Sequence, residues 1–362
     1  MKHLHWGSIF KSYIIAAIAG YLFHLGDLPI PWILGPMTAM IIWKAVRPQE
    51  KTVPKAIFNG GLVILGIFFG LSFTAATFIT VGPYILPFLL TTIVLLAVSV
   101  INSLVAARFI NIDSATSVFG SIPGGLSEMV AASESVNANS AMVTIFQTVR
   151  LLTVVFTVPF LVVYMFAADS VSPLQAIANT NYNASVFSYG WFIIPILAGW
   201  LLRNRLPAAY VIGPLLATAL LNSSGVELPM LPKFLLILAQ VSVGISMGSK
   251  ITIQDLKLGG KYCGIYFLLA MIIIATSFGL GYLFSLATNL HLPTALLSFA
   301  PGGLVEMVLT AKAVGADPAI VSSLQFIRLL FIIIFVPSIL KWFFTIKQRK
   351  HLASFSSSNK VG

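Results

Sequence analysis

Two glutamates stand in strongly apolar surroundings, each three residues beyond a Pro-Gly-Gly break: Pro123-Gly124-Gly125-Leu126-Ser127-Glu128 and Pro301-Gly302-Gly303-Leu304-Val305-Glu306. If Gly125 and Gly303 cap short helices, the first N–H groups of each helix lack partners. The positive end of each helix dipole then faces its break. Such an end favours an anion, including the carboxylate of a solute. Glu128 and Glu306 fall at the third helical position. A glutamate there can cap its own helix, or, as an ionisable group inside a membrane, serve as a proton or cation site. Further along, Gln147 and Arg150 lie three apart on one helix face, and Gln325 and Arg328 repeat the pair. An unpaired arginine deep in an apolar helix costs about 2.5–3.5 kcal/mol on insertion scales. For Arg150 the nearest acid in sequence is Glu128. The pair would either pin the break in place or be exchanged for a solute carboxylate.

The elements that must position these residues are membrane helices. Of 362 residues, 58% are hydrophobic and 9% charged, against roughly 25% charged in soluble domains. The uncharged run from Tyr84 to Ala107 is long enough to cross a bilayer. The short alternating segments of a barrel are absent. The net charge of +11 sits in short loops and at the C-terminal end, as the positive-inside rule expects, so nucleic acid is not expected as a partner. The single Cys263 excludes an intramolecular disulfide, and the histidines show no ligand spacing on a helix, so neither metal nor cofactor is expected. Met1 to Gly26 has a signal-peptide outline around Ala17-Ile18-Ala19. Its apolar stretch is short, however, and Ala19-Gly20-Tyr21-Leu22 returns as Ala198-Gly199-Trp200-Leu201, which makes it the first span of a repeat.

That repeat runs through the chain at an offset of 178 (301 − 123). Trp32-Ile33-Leu34-Gly35-Pro36 matches Tyr210-Val211-Ile212-Gly213-Pro214. From Pro123 to Pro159, 17 of 37 positions equal their partners in Pro301 to Pro337, a density that general similarity of apolar helices would spread evenly. Spans are expected near 9–26, 31–46, 56–78, 83–107 and 139–166, then 188–203, 209–223, 233–250, 262–289 and 318–345. The Pro-Gly-Gly segments occupy 114–134 and 293–313. The domain reading is a first membrane repeat at 1–166, an extracytoplasmic linker at 167–187, a second repeat at 188–345 and a basic cytoplasmic tail at 346–362.

Loop charge orients the halves. Lys44 to Lys55 carries Lys44, Arg47, Lys51 and Lys55, whereas its equivalent, Asn222 to Lys233, carries only Lys233 beside Glu227. Ser72 to Pro83 is uncharged, whereas its equivalent carries Lys250, Lys257 and Lys261. The positive loops change places, so equivalent loops lie on opposite faces and each half crosses an odd number of times. The expected fold is all-α integral membrane: two inverted-topology repeats, each of five transmembrane helices plus one re-entrant broken helix, with both termini cytoplasmic. Inverted repeats with broken helices meeting near the midplane are a transporter architecture, and irregular backbone is tolerated there only under protein or against a water-filled cavity. Paired glycines (Gly66, Gly70 and Gly244, Gly248) suggest close helix packing.

The duplicated Pro-Gly-Gly-Leu-x-Glu-Met, each copy followed by Gln-x-x-Arg-Leu-Leu, resembles the AbrB family of duplicated bacterial membrane proteins over about residues 10–345. The resemblance implies an inner-membrane protein. Family members are described as transporters, as regulators of gene expression and as ammonia monooxygenases. No ligand cluster or nucleotide fingerprint here supports the last, and an enzyme is not expected. The leading expectation is a secondary transporter of a small anionic solute coupled to H⁺ or Na⁺. Its site would comprise Pro123, Gly124, Gly125, Glu128, Gln147 and Arg150 with Pro301, Gly302, Gly303, Glu306, Gln325 and Arg328. The alternative is a membrane sensor acting on gene expression through a partner. The bilayer, a small solute and a coupling ion are the expected partners, and a homo-oligomer is compatible with the pattern.

Overall fold

A computed structural model describes residues 6–47, 54–124, 126–166, 186–206, 208–226 and 228–358. Most of the expected linker at 167–187 lies outside the described residues. The described chain is all helical: α1 (Trp6–Leu25), α2 (Pro31–Val46), α3 (Lys55–Gly70), α4 (Ala75–Ile110), α5 (Ser114–Ser121), α6 (Leu126–Glu134), α7 (Ser140–Met165), α8 (Ile193–Leu201), α9 (Ala209–Ser223), α10 (Lys233–Ser249), α11 (Ile253–Gly259), α12 (Lys261–Thr288), α13 (Leu292–Phe299), α14 (Leu304–Ala313) and α15 (Pro318–Ser358). Starts of equivalent helices keep the 178 offset from α2/α9 through α7/α15, with α11 and α12 together standing for α4.

Local chemistry explains the boundaries. Thr74 and Thr77 form a capping box that starts α4, which is why the third span stops at Gly70 and does not continue to the expected 78. Asn111 and Asn289 close α4 and α12 in the left-handed region, with φ of 51° and 54°, a conformation asparagine accepts readily. Asp113 then accepts from the Thr116 N–H at 2.9 Å and begins α5.

The short helices form one panel. A Cβ on Gly66 would run into the Val211 carbonyl and Pro214, and one on Gly244 would meet the equivalent Ile33 carbonyl and Pro36. Gly70 faces Leu215 and Thr218 as Gly248 faces Met37. The contacts are therefore exchanged in pairs, α3 on α9 and α10 on α2, as in an isologous interface. The two central helices are themselves repeat equivalents and run antiparallel. Gly61 packs against Ala239 and Ser242, while at the helix ends the Lys250 ammonium lies 4.8 Å from the Phe58 ring. Burial first, and nearby Lys55 second, hold the Lys250 ammonium below its ordinary pKa. Two loops read as basic from sequence, one from each half, thus meet at one face.

Among the described residues, five helices are long and apolar enough to cross a membrane: 7–25, 79–110, 140–165, 261–288 and 318–344. Exposed Leu86, Leu90, Ile101 and Val105 give α4 an outward apolar face. The panel helices α2, α3, α9 and α10 have only 15 to 17 residues. At about 1.5 Å per residue they reach roughly 22–26 Å, short of a core of about 30 Å. Of the ten expected spans, those at 31–46 and 209–223 coincide with α2 and α9, and only five helices among the described residues are long and apolar enough to cross unaided.

Close packing of the panel gives a paired prediction. Gly66→Ala should destabilise by about 1–3 kcal/mol, because the methyl meets backbone. Gly60→Ala, on the exposed face with nothing near its Cβ, should be neutral or gain up to about 1 kcal/mol. Thermal unfolding of both variants in detergent checks this, and equal effects would contradict it.

Candidate functional site

Each Pro-Gly-Gly lies at the turn of a helical hairpin, α5 with α6 and α13 with α14. Thr116 Oγ1 accepts from the Asn139 N–H at 3.0 Å, and Thr294 Oγ1 accepts from the Asp317 N–H at 3.1 Å. Asn139 and Asp317 in turn cap α7 and α15. The start of each hairpin is thereby tied to the start of the long helix that follows it. From the side, Tyr266 of α12 stacks on Phe146 with ring centroids 3.5 Å apart and donates to Ser117 Oγ at 2.8 Å. Phe88 of α4, its repeat equivalent, packs on Phe299 at 4.6 Å.

Breaking a helix leaves carbonyls without partners at the end of its first segment. Gln147 Nε2 donates to two of them, Phe119 O at 2.7 Å and Ile122 O at 3.0 Å. Gln325 Nε2 repeats this with Leu297 O at 2.7 Å and Ala300 O at 3.2 Å. Each glutamine oxygen then accepts from its arginine: Arg150 Nη2 to Gln147 Oε1 at 2.8 Å, and Arg328 Nη2 to Gln325 Oε1. The arginines also serve the tips. Arg150 Nη2 reaches Gly124 O at 3.4 Å, and Arg328 Nη2 reaches Gly302 O at 3.5 Å.

The two arginines differ in their Nη1 bonds. Arg150 Nη1 crosses to the opposite tip and donates to Pro301 O at 3.2 Å. Arg328 Nη1 stays with its own hairpin, on Phe299 O at 2.9 Å and Ser298 O at 3.4 Å.

The expected arginine–glutamate pairing is corrected for the second half. Among the described residues no ion pair joins Arg328 to Glu306; the guanidinium is engaged by carbonyls. The cause is the helix break itself, which places several unpaired acceptors and a negative dipole end within reach of the guanidinium. Glu306 is buried, 2% exposed, and its carboxylate folds back over Gly303, where a Cβ would collide with it. A glutamate at the third helical position that folds back in this way lies over the first turn of its own helix, where it can cap. Gly125 and the side chain of Glu128 lie outside the described residues.

A cavity of about 230 Å³ lies between the two tips. Of the residues expected at the site, Pro123, Gly124, Arg150, Pro301, Gly302, Gly303, Gln325 and Arg328 line it. Gln147, bonded to Arg150, and Glu306 are not among the cavity's lining residues. The sequence reading missed the aliphatic wall. Leu151, Val154 and Val155 of α7 face the cavity with their equivalents Leu329, Ile332 and Ile333 of α15. The signal was present: with Gln147 and Arg150 they follow the helical stripe i, i+3, i+4, i+7, i+8, and Leu151 equals Leu329. No cluster of three or more metal-ligating side chains occurs among the described residues.

These long apolar helices and duplicated hairpins are those of a multi-pass membrane protein. A family model described as "Transition state regulatory protein AbrB" matches residues 32–344, so the chain belongs to the AbrB family. It is similar to "Uncharacterized protein YhjN" of Bacillus subtilis (strain 168), 27% identical over 344 residues, covering 89% of this chain and 90% of that protein. It is also similar to "Putative regulator AbrB" of Escherichia coli (strain K12), 26% identical over 354 residues, covering 97% of this chain and 99% of that protein.

The glutamine roles are testable. Gln325→Leu leaves Leu297 O and Ala300 O without their donor and should cost about 1–3 kcal/mol per orphaned group. A lowered melting temperature with faster proteolysis at the second hairpin is expected. Unchanged stability would show that the carbonyls have other partners.

Proposed function

We propose that the chain is a secondary transporter of a small anionic solute in the bacterial inner membrane, with its halves inverted across the bilayer and both termini cytoplasmic. The observation that carries this reading is the cavity between the tips. Both Arg150 and Arg328 line it, and the hydrogen bonds described for them go only to neutral oxygens. Two cationic groups held this way retain their charge for an anion. Antiparallel packing of the equivalent helices α3 and α10, with basic loops from both halves at one end, supports inversion.

The unequal bonding of the arginines supports alternation. Exchanging the conformations of the halves would free Pro301 O and bring Arg328 to Pro123 O, its repeat equivalent. Glu128 and Glu306 are the proposed H⁺ or Na⁺ coupling groups, Glu306 being released when its hairpin moves.

A second reading, a membrane sensor, is favoured by the name "Putative regulator AbrB" of the Escherichia coli relative. Flux separates the two. In proteoliposomes under imposed H⁺ or Na⁺ gradients, a panel of small anions should include one that is taken up. Arg150→Gln and Arg328→Gln should each weaken its transport roughly 10- to 100-fold. The Glu128→Gln, Glu306→Gln double variant should bind the anion yet lose gradient-driven uptake. Binding by the native chain without flux would overturn transport in favour of sensing.

A further inference from the structure

The walls of the cavity say more about its occupant than its charge does. Arg150, Arg328 and Gln325 supply polar groups where the tips meet. The other side chains there are apolar: Pro123, Pro301 and Leu304 at the tips, and three matched pairs on the long helices, Leu151 with Leu329, Val154 with Ile332, and Val155 with Ile333. Glu306 does not line the cavity. Arg150 is 7% exposed, and among the described residues no carboxylate lines this end of the cavity.

Resting on the anion-site reading above, we propose that the site takes a short aliphatic or small aromatic monocarboxylate. The carboxylate lies against the guanidiniums and the hydrocarbon body against the α7 and α15 walls. The argument is one of mismatch. A solute with a second charged end would strip that charge of water against a surface with no donors, a penalty of several kcal/mol for an unpaired ion. Inorganic phosphate would satisfy the arginines but leave the aliphatic wall uncovered. A monocarboxylate with an apolar tail satisfies both ends at once.

Size narrows the class. At roughly 30 Å³ per water-sized volume, 230 Å³ holds about eight such volumes. Acids from butyrate to benzoate fall in this range, whereas long fatty acids do not.

The full chain in lipid nanodiscs is titrated calorimetrically with sodium acetate, propionate, butyrate, valerate, benzoate, succinate and phosphate. Each added methylene from acetate to valerate should tighten binding roughly fourfold, from about 0.8 kcal/mol per buried CH₂. Succinate and phosphate should bind at least about tenfold more weakly than butyrate, the loss expected when a buried polar group goes unpaired. Leu329→Thr, which leaves both arginines in place, should flatten the chain-length series.

Succinate or phosphate binding more tightly than butyrate, with affinity lost in Arg328→Gln, would overturn the monocarboxylate class and keep the anion site. A flat series in the native chain would do the same. Failure of every anion to bind a folded native chain, or binding indifferent to Arg328→Gln, would overturn the anion site itself and this class with it.

Discussion

The structure depends on one unmet demand. A helix interrupted inside an apolar protein exposes carbonyl oxygens that no water satisfies, and each unsatisfied group there costs several kcal/mol. In this chain the demand arises twice, at the ends of α5 and α13. A glutamine and an arginine one turn apart on α7 and on α15 meet it both times. Glutamine is suited to this because its amide offers donors to carbonyls and an acceptor to arginine in one planar group. The interaction explains why the two residues occur as a spaced pair, and why the pair recurs 178 residues later.

The same solution leaves charge behind. Carbonyls are good acceptors for a guanidinium but do not neutralise it. A carboxylate partner would have produced a closed ion pair, with little field left for a solute. Here, among the described residues, the arginines are held in place by neutral groups and face a cavity of about 230 Å³. Under the proposed function, structural need and solute binding would reside in the same side chains. The rest of the fold holds those side chains still: Thr116 and Thr294 anchor the hairpins, and Tyr266 and Phe88 press on them from the opposite repeat.

Duplication supplies the second constraint. Glycines in α3 and α10 let equivalent helices meet backbone to backbone, with Gly66 on Val211 and Gly244 on Ile33. The threonine and glutamine contacts at the hairpins have counterparts at the same offset. Departures lie at Tyr266, whose equivalent Phe88 has no hydroxyl, and in the arginine Nη1 bonds: Arg150 takes Pro301 O, whereas Arg328 takes Phe299 O and Ser298 O, with no Arg328–Pro123 bond among the described residues. Under the transporter proposal, a ligand would act by shifting the population between this arrangement and its exchange.

The sequence by itself determined the helical class, the duplication, both hairpin breaks and the residues gathered at them. These follow from local rules: apolar length, the Pro-Gly-Gly interruption, caps such as Asp113, and a helical spacing that puts Gln147 and Arg150 on one face. Eight of the expected site residues line a single cavity for that reason. Only the tertiary structure decided which partners the arginines take, that Leu151, Val154 and Val155 complete a wall with their equivalents, and that α3 stops at Gly70, short of the expected 78. Partner choice depends on distances between groups far apart in the chain. Charge alone favoured a glutamate, whereas the carbonyls of a broken helix, invisible in residue identity because every residue has one, lay closer.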